Sequence, residues 1–433
     1  MQEKKDGAMY APKGKSKPVC AQGEFPVGVI GLDHGHIYGM CNGLTEAGAE
    51  ITLVYDPDPE KVAQFQKAFP TAKTAASKEE VYASNVKMVA SAAIPLDRGP
   101  LGVEAMRHGK DFFVDKPPLI TPEHLEEVRQ TVRETGQKYF CYFSERLHVE
   151  GSVYAQQLLE QGKIGKVVQV MGWGPHRMGP ESGRPDWFFD KDRYGGILTD
   201  IGCHQIEQII FFSGAKDARI VHSRTGNYNH PNRPKLEDFG DCMIECDNGV
   251  TGYFRVDWFT PKGLGAWGDG RTIIEGTDGY IEIRKYIDVA NSAEGDQVYY
   301  VDHEGEHHCC ASGKCGFPTI IRGMAVGDIQ PHDLPRILWR ESRVALLCGG
   351  TLAVCNFVKL LVFDRIAAPV ALVVCLTLIC TVLLSQLIGG ILPVAAEKLH
   401  VDPAVMASPL ITTIVDTTTL LIYFNIAKML LHL

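Results

Sequence analysis

Two short clusters hold the residue types that proton transfer needs. One is Asp115-Lys116-Pro117-Pro118, which closes the apolar stretch 111–114. A lysine at the carboxyl end of a sheet strand lies where open α/β sheets bind ligands. Tandem prolines fix the backbone there. A lone lysine after a strand is more commonly a surface residue. The other cluster is Gly195-Gly196-Ile197-Leu198-Thr199-Asp200-Ile201-Gly202-Cys203-His204. Its two glycines permit a tight approach, and a helix pattern follows over about 199–213. Asp200 and His204, four apart, then share one helix face. Histidine transfers protons near neutrality, and a carboxylate on its face can orient it. In isolation, this spacing suits a metal pair or a structural polar pair as well as a catalyst.

A third group looks built to receive a nucleotide. Gly31-Leu32-Asp33-His34-Gly35-His36 follows the apolar run Phe25–Gly31 and opens a helix pattern. Dinucleotide turns use glycine where the backbone approaches pyrophosphate at a helix start. This turn is degenerate: Asp33 stands where the second glycine belongs, and Gly35 comes one place early. Asp56 ends the next strand, 25 residues after Gly31, where an acid would hold ribose hydroxyls. Its charge favours NAD over NADP. Asp56 also suits a plain turn, in Asp-Pro-Asp-Pro.

The elements that must position these residues fall into two patterns. Runs at 25–31, 51–55, 86–93, 111–114 and 139–143 read as strands, with helices to about 47 and over 59–69, 99–108 and 122–135. That alternation predicts a doubly wound parallel sheet, a Rossmann-like α/β domain over 25–147. Beyond it, strands follow one another at 166–173, 218–226, 238–246, 250–258, 271–275, 279–284 and 297–302. These predict an α+β domain with a mainly antiparallel sheet over 148–317. Residues 1–24 read as a disordered polar leader with no signal peptide.

The last ninety residues change solvent. Three apolar stretches, 344–363, 366–396 and 404–433, follow a polar link at 318–343. About 20 apolar residues cross the hydrocarbon as a helix, so three transmembrane helices and a lipid-bilayer partner are expected. Four basic and four acidic residues balance there, so the formal charge of −9 lies in the soluble part. An acidic soluble part argues against nucleic acid as a partner. Arg322, Arg336, Arg340 and Arg343 precede the first span and place that side in the cytosol. The expectation is a multi-pass protein of the cell membrane with its soluble part cytoplasmic. Thirteen scattered cysteines suggest a reducing environment. His303-Glu304-Gly305-Glu306-His307 matches the zinc-protease spacing, but it follows a strand and contains glycine, so a hairpin edge is expected. Cys309, Cys310 and Cys315 beside His307 and His308 suit at most an adventitious metal.

Taken together, the first two clusters resemble the Gfo/Idh/MocA family of sugar and cyclitol dehydrogenases, over about 25–317. Asp115-Lys116-Pro117 is similar to that family's E-K-P step, and Gly276-Thr277-Asp278-Gly279 to its G-T-x-G stretch. The resemblance implies hydride transfer between a carbinol carbon of a sugar or polyol and NAD. Lys116 and His204 would handle the hydroxyl proton and Asp200 would orient. Cofactor contacts would come from Gly31, Asp33, His34, Gly35, His36, Asp56 and Lys116. His176, Arg177, Trp187 and Tyr194 are expected substrate contacts, and a homo-oligomer is expected. The family's P-N-x-x-H is altered to Pro95-Leu96-Asp97-Arg98-Gly99.

Residues 318–433 resemble the last three of the five membrane helices of MgtE-type magnesium transporters. Asp416, inside an apolar span after Thr412-Thr413, matches that family's pore aspartate and would face Mg²⁺. Pairing with Asn425 or with a helix partner is the other reading of Asp416. The whole chain thus reads as a membrane-attached oxidoreductase. The alternatives are a cation transporter carrying an NAD-binding sensor, or a fusion without integrated function.

Overall fold

The computed structural model describes residues 13–14, 18–21, 23–179, 183–315, 350–398, 418–419 and 422–430. These fall into two compact units, divided at Ala325/Val326.

The first unit opens with β1 (Pro26–Ile30), α1 (His36–Glu46), β2 (Glu50–Tyr55), α2 (Pro59–Ala68), β3 (Lys73–Thr74) and α3 (Lys78–Ala83). It continues with β4 (Met88–Ser91), α4 (Pro95–Arg107), β5 (Asp111–Asp115), α5 (Pro122–Thr135) and β6 (Tyr139–Tyr142). The six strands pair in parallel in the order β3-β2-β1-β4-β5-β6. β1 and β4 are buried along their whole length, as strands covered on both faces must be. The short β3 and α3 had no sequence expectation. α4 starts four residues before the expected Gly99, because Pro95 fits the first helical turn, where no amide partner is needed.

Two short helices, α6 (Ser144–Leu147) and α7 (Glu150–Glu160), lead into β7 (Val167–Pro175). α8 (Lys191–Tyr194), α9 (Ile197–Asp200) and α10 (Gly202–Ser213) precede β8 (Ala218–Gly226), β9 (Phe239–Cys246) and β10 (Thr251–Asp257). β11 (Arg271–Gly276), β12 (Tyr280–Arg284), β13 (Gln297–Asp302) and β14 (Gly305–Cys310) complete the unit. The eight strands β7–β14 form one sheet, ordered β14-β13-β12-β11-β7-β10-β9-β8. β7 and β10 pair in parallel, so the sheet is mixed; its other pairings are antiparallel. α10 packs its buried Ile209 and Phe212 into the core shared with β7, β9 and β10.

The H-E-x-x-H segment is a hairpin, β13–β14, not a helix. His307 stacks on Tyr300 and His308 on Tyr299 of the neighbouring strand. Consecutive strand residues point to opposite faces, so these histidines do not converge. Asp302, Glu304 and His307 do bring ligating atoms together, but Lys163 bridges both acids, at 3.4 and 3.0 Å.

In the second unit, α11 (Gly350–Val362) is a shorter apolar helix and α12 spans Ala368–Lys398. Within α12, Ala368–Ser385 is long and apolar enough to cross a membrane. Among the described residues it is the one helix of that kind, where three spans were expected. Residues 422–430 are helical within the expected third stretch. Asp416 lies outside the described residues.

Candidate active site

The carboxyl edge of the parallel sheet faces α9, α10 and the start of the second sheet, and the two sequence clusters meet there. Lys116 directly follows β5. Its ammonium donates to Asp200 Oδ1 at 2.9 Å and to the Asp200 carbonyl at 3.1 Å. Burial pulls the Lys116 pKa down, but the adjacent Asp200 charge outweighs it and holds the group above its ordinary range. Lys116 is therefore an ammonium at neutral pH.

The expected single helix over 199–213 is broken at Ile201, between α9 and α10. Gly195 and Gly196, at φ +91° and +86°, set the chain into α9. Asp200 consequently turns its carboxylate to Lys116 rather than along the helix to His204. His204 Nδ1 is buried and has no hydrogen-bond partner among the described residues. Burial, reinforced by the Lys116 charge and opposed by Glu145, holds the His204 pKa well below its usual value. This histidine is neutral at pH 7 and can take a proton.

The nucleotide turn is braced from below. Gly31 has φ +84°, and a Cβ there would meet Ala93 Cβ at 2.9 Å. Asp56 Oδ2 accepts from the Leu32 amide at 2.7 Å, and Oδ1 from the Asp58 amide at 2.9 Å. The Asp33 carboxylate accepts from Lys61 Nζ at 2.7 Å, which offsets the charge that stood against a pyrophosphate there. α1 begins after Gly35 with no acidic residue in its first turn. Its first amides are held locally, that of His36 by His34 Nδ1 at 3.2 Å and those of Ile37 and Tyr38 by the His34 and Gly35 carbonyls. The positively polarised start of the helix still suits an anion, so the turn is compatible with a dinucleotide.

His34 and His36 line the pocket that also holds Lys116 and His204. His36 Nδ1 lies 2.8 Å from Asp115 Oδ1. Arg98, fully buried, takes Asp115 Oδ2 at 3.0 Å and the carbonyls of Ala93, Asp115 and Pro117. His34, His36 and Asp115 have metal-ligating atoms within 4.8 Å of one another. Both Asp115 oxygens are already engaged, and a guanidinium beside them opposes a cation. The group is read as a hydrogen-bonded network.

The expected substrate contacts divide. His176 and Trp187 line the pocket. Tyr194 is buried, and its hydroxyl accepts from the Glu237 amide at 2.9 Å. Arg177 donates to the carbonyls of Pro261, Leu264 and Ala266, and so ties down a loop. Neither Arg177 nor Tyr194 lines the pocket. Arg184 and Phe188, in the same expected segment as Trp187, line it too, with the Arg184 guanidinium 4.5 Å from the Phe188 ring centroid. Trp258 and Trp267, which had no sequence expectation, complete an aromatic wall. Trp258 Nε1 is a buried donor with no partner among the described residues. Glu145, on α6 just after β6, presents an unpartnered buried acceptor, Oε1. Its place at the carboxyl end of a parallel strand was the available sequence signal.

A nucleotide turn on a parallel sheet, joined to a mixed sheet by a buried Lys–Asp pair and a neutral histidine, defines a nicotinamide-dependent oxidoreductase. Residues 25–143 match the family model described as an oxidoreductase family with an NAD-binding Rossmann fold, and 153–282 match the GFO/IDH/MocA C-terminal domain. Over this length the chain belongs to the Gfo/Idh/MocA family of oxidoreductases, and residues 317–426 match the divalent cation transporter model, MgtE. A crystal structure assigned as an oxidoreductase, from Erwinia carotovora atroseptica, is 47% identical, with TM-score 0.67, covering 71% of this chain and 92% of its own. The scyllo-inositol 2-dehydrogenase (NAD⁺) of Bacillus subtilis is 26% identical over 59% of this chain and 72% of its length. The magnesium transporter MgtE of Thermus thermophilus is 38% identical over 28% of this chain. The chain spans about a quarter, 26%, of that transporter's length.

Proposed function

We propose that the first unit oxidises, reversibly, a secondary hydroxyl of a sugar, cyclitol or related polyol. The observation that carries this reading is the juxtaposition of an ammonium, Lys116, with a neutral histidine, His204, in one buried pocket. Bound NAD would supply the hydride acceptor. Gly31, His34, Gly35, His36 and the positive end of α1 would hold it, with Asp56 and Asp33 toward the adenosine end.

Proton chemistry falls to this chain's own residues. Lys116 donates a hydrogen bond to the substrate oxygen and stabilises charge that develops on it. His204 accepts the hydroxyl proton. Asp200 keeps Lys116 charged and aimed. The unpartnered donor Trp258 Nε1 and the unpartnered acceptor Glu145 Oε1 suit hydroxyls, which both donate and accept. His176 and Trp187 complete that wall.

The test uses the full chain in detergent, with nicotinamide absorbance as readout. His204→Ala should lower kcat by about 10²–10⁴ while NAD binding persists, and Lys116→Ala should do the same to turnover. Near-wild-type turnover by His204→Ala would overturn the assignment.

A membrane role is supported by the MgtE match and by the apolar α12. We propose that residues 344–433 cross the bilayer three times and keep the first unit cytosolic. Magnesium transport, with Asp416 facing a hydrated ion, is a second reading that rests on the transporter match. Growth rescue of a magnesium-uptake-deficient host, abolished by Asp416→Ala, would promote it; failure to rescue would leave the tail as an attachment.

A further inference from the structure

Glu145 is the buried charge that the proton chemistry above does not use. It is 3% exposed, at the carboxyl edge of the parallel sheet. One oxygen, Oε2, accepts from Lys285 Nζ and from Gln205 Nε2, both at 2.8 Å. Lys285 is itself wholly buried and directly follows β12, 140 positions along the chain. Burial alone would raise the Glu145 pKa, but the Lys285 ammonium, 2.8 Å away, holds it well below the carboxylate range. The carboxylate is therefore ionised, and its other oxygen, Oε1, has no partner among the described residues. A buried acceptor left unpaired is costly, so Oε1 is a place for a ligand.

His176 fixes what that ligand must offer. Its Nδ1 lies 3.0 Å from the Gly174 carbonyl, an acceptor, so Nδ1 carries the proton. Burial lowers the His176 pKa to about 4, so the ring is neutral and Nε2 is an acceptor. Nε2 lies 3.7 Å from Glu145 Oε1. Two acceptors thus face one pocket with no proton between them. A single hydroxyl has one proton and satisfies one of them. Two adjacent hydroxyls satisfy both. An ammonium could also bridge the pair. However, Lys116 and Arg184 line the same pocket, and Lys285 already balances Glu145. A third or fourth cation there is repelled.

We propose that Glu145 Oε1 and His176 Nε2 form a vicinal-diol clamp, each accepting from one of two neighbouring hydroxyls on the substrate. Glu145 is then the specificity-determining anchor. It selects neutral, hydroxyl-rich ligands and repels a carboxylate at that end of the pocket. The clamp rests on the polyol reading above and narrows it to ligands with adjacent free hydroxyls.

The test uses the full chain in detergent with saturating NAD and three probes: D-xylose, D-glucose and myo-inositol, each with its monodeoxy analogues. Binding is followed by quenching of tryptophan emission, since Trp187, Trp258 and Trp267 line the pocket, and turnover by nicotinamide absorbance. In wild type, deleting either hydroxyl of one adjacent pair should weaken binding about 10- to 100-fold, because a buried acceptor is left unpaired. In Glu145→Gln, which replaces the acceptor's charge, that penalty should shrink to about threefold or less. KM should rise more than kcat falls, and NAD affinity should hold. Glu145→Asp keeps the charge and the Lys285 partner but withdraws the oxygen; it should show the same loss if the glutamine variant fails to fold. Wild type that oxidises polyols but tolerates every single deletion overturns the clamp alone. So do folded variants with undiminished discrimination. Wild type that neither binds nor oxidises any probe overturns the polyol reading with it.

Discussion

At the scale of residues, the site separates two jobs that often fall to one group. Lys116 is held as an ammonium and His204 as a neutral imidazole, by the same burial and by opposite neighbours. In the proposed mechanism, oxidation needs His204 unprotonated. Because its pKa lies well below 6.5 in the folded protein, activity should persist as pH falls through 6.5 and fail only below that. A kcat/KM profile whose acid limb sits above pH 6.5 would assign the proton to another group. Cofactor choice is a second residue-scale consequence. Asp56 presents a negative charge at the end of β2, and Asp33 engages Lys61 of α2. NAD should therefore bind about tenfold or more tightly than NADP, an energy difference of about 1.4 kcal/mol. Asp33→Ala, which releases Lys61 toward a 2′-phosphate, should narrow the gap. Equal affinities in wild type, measured by nicotinamide fluorescence, would refute the assignment. Lys116, Asp200 and His204 were legible because each lies in a short cluster of distinctive spacing. Glu145 and Lys285 were not, because their meaning is a contact between distant positions.

At the scale of elements, the break between α9 and α10 decides what Asp200 can touch. The spacing of Asp200 and His204 implies a shared face only if the helix runs through Ile201, and it does not. Local spacing cannot foresee that break, because tertiary packing imposes it. Gly195 shows how tightly. Its φ is +91°, and a Cβ would lie 2.6 Å from Ile120 Cγ2. Gly195→Ala should destabilise the first unit by about 1–3 kcal/mol and lower kcat by displacing Asp200 from Lys116. A thermal melt and a turnover assay on the same sample test both halves. Unchanged melting and rate would show that the loop relaxes freely. The buried parallel strands were easy to locate as apolar runs. β14 carries no strand signal of its own, because His-His-Cys-Cys at a sheet edge lacks an apolar face. The parallel pairing of β7 with β10 joins positions about eighty residues apart, for instance Gln169 with Thr251, and nothing local encodes it.

At the scale of the whole molecule, two compositions divide one chain. The charge of −9 lies before residue 344, while the last ninety residues balance four bases against four acids. α12, at 31 residues, measures about 46 Å at 1.5 Å per residue. That exceeds the roughly 30 Å hydrocarbon core, so it can cross with tilt. α11, at 13 residues, measures about 20 Å and needs its flanking residues to span. The number of crossings therefore turns on α11 and on the third stretch, 404–433, and topology can settle it. Reporters that work only in the cytosol or only outside, fused after Arg343, Arg365, Lys398 and Leu433, should read in, out, in, out. The arginines before residue 344 set the first of these. If α11 lies along the surface while α12 crosses, Arg365 would read in and Lys398 out. That result would keep the first unit cytosolic but refute three passes. Recovery of the chain in the soluble fraction after an alkaline carbonate wash would refute the membrane role outright.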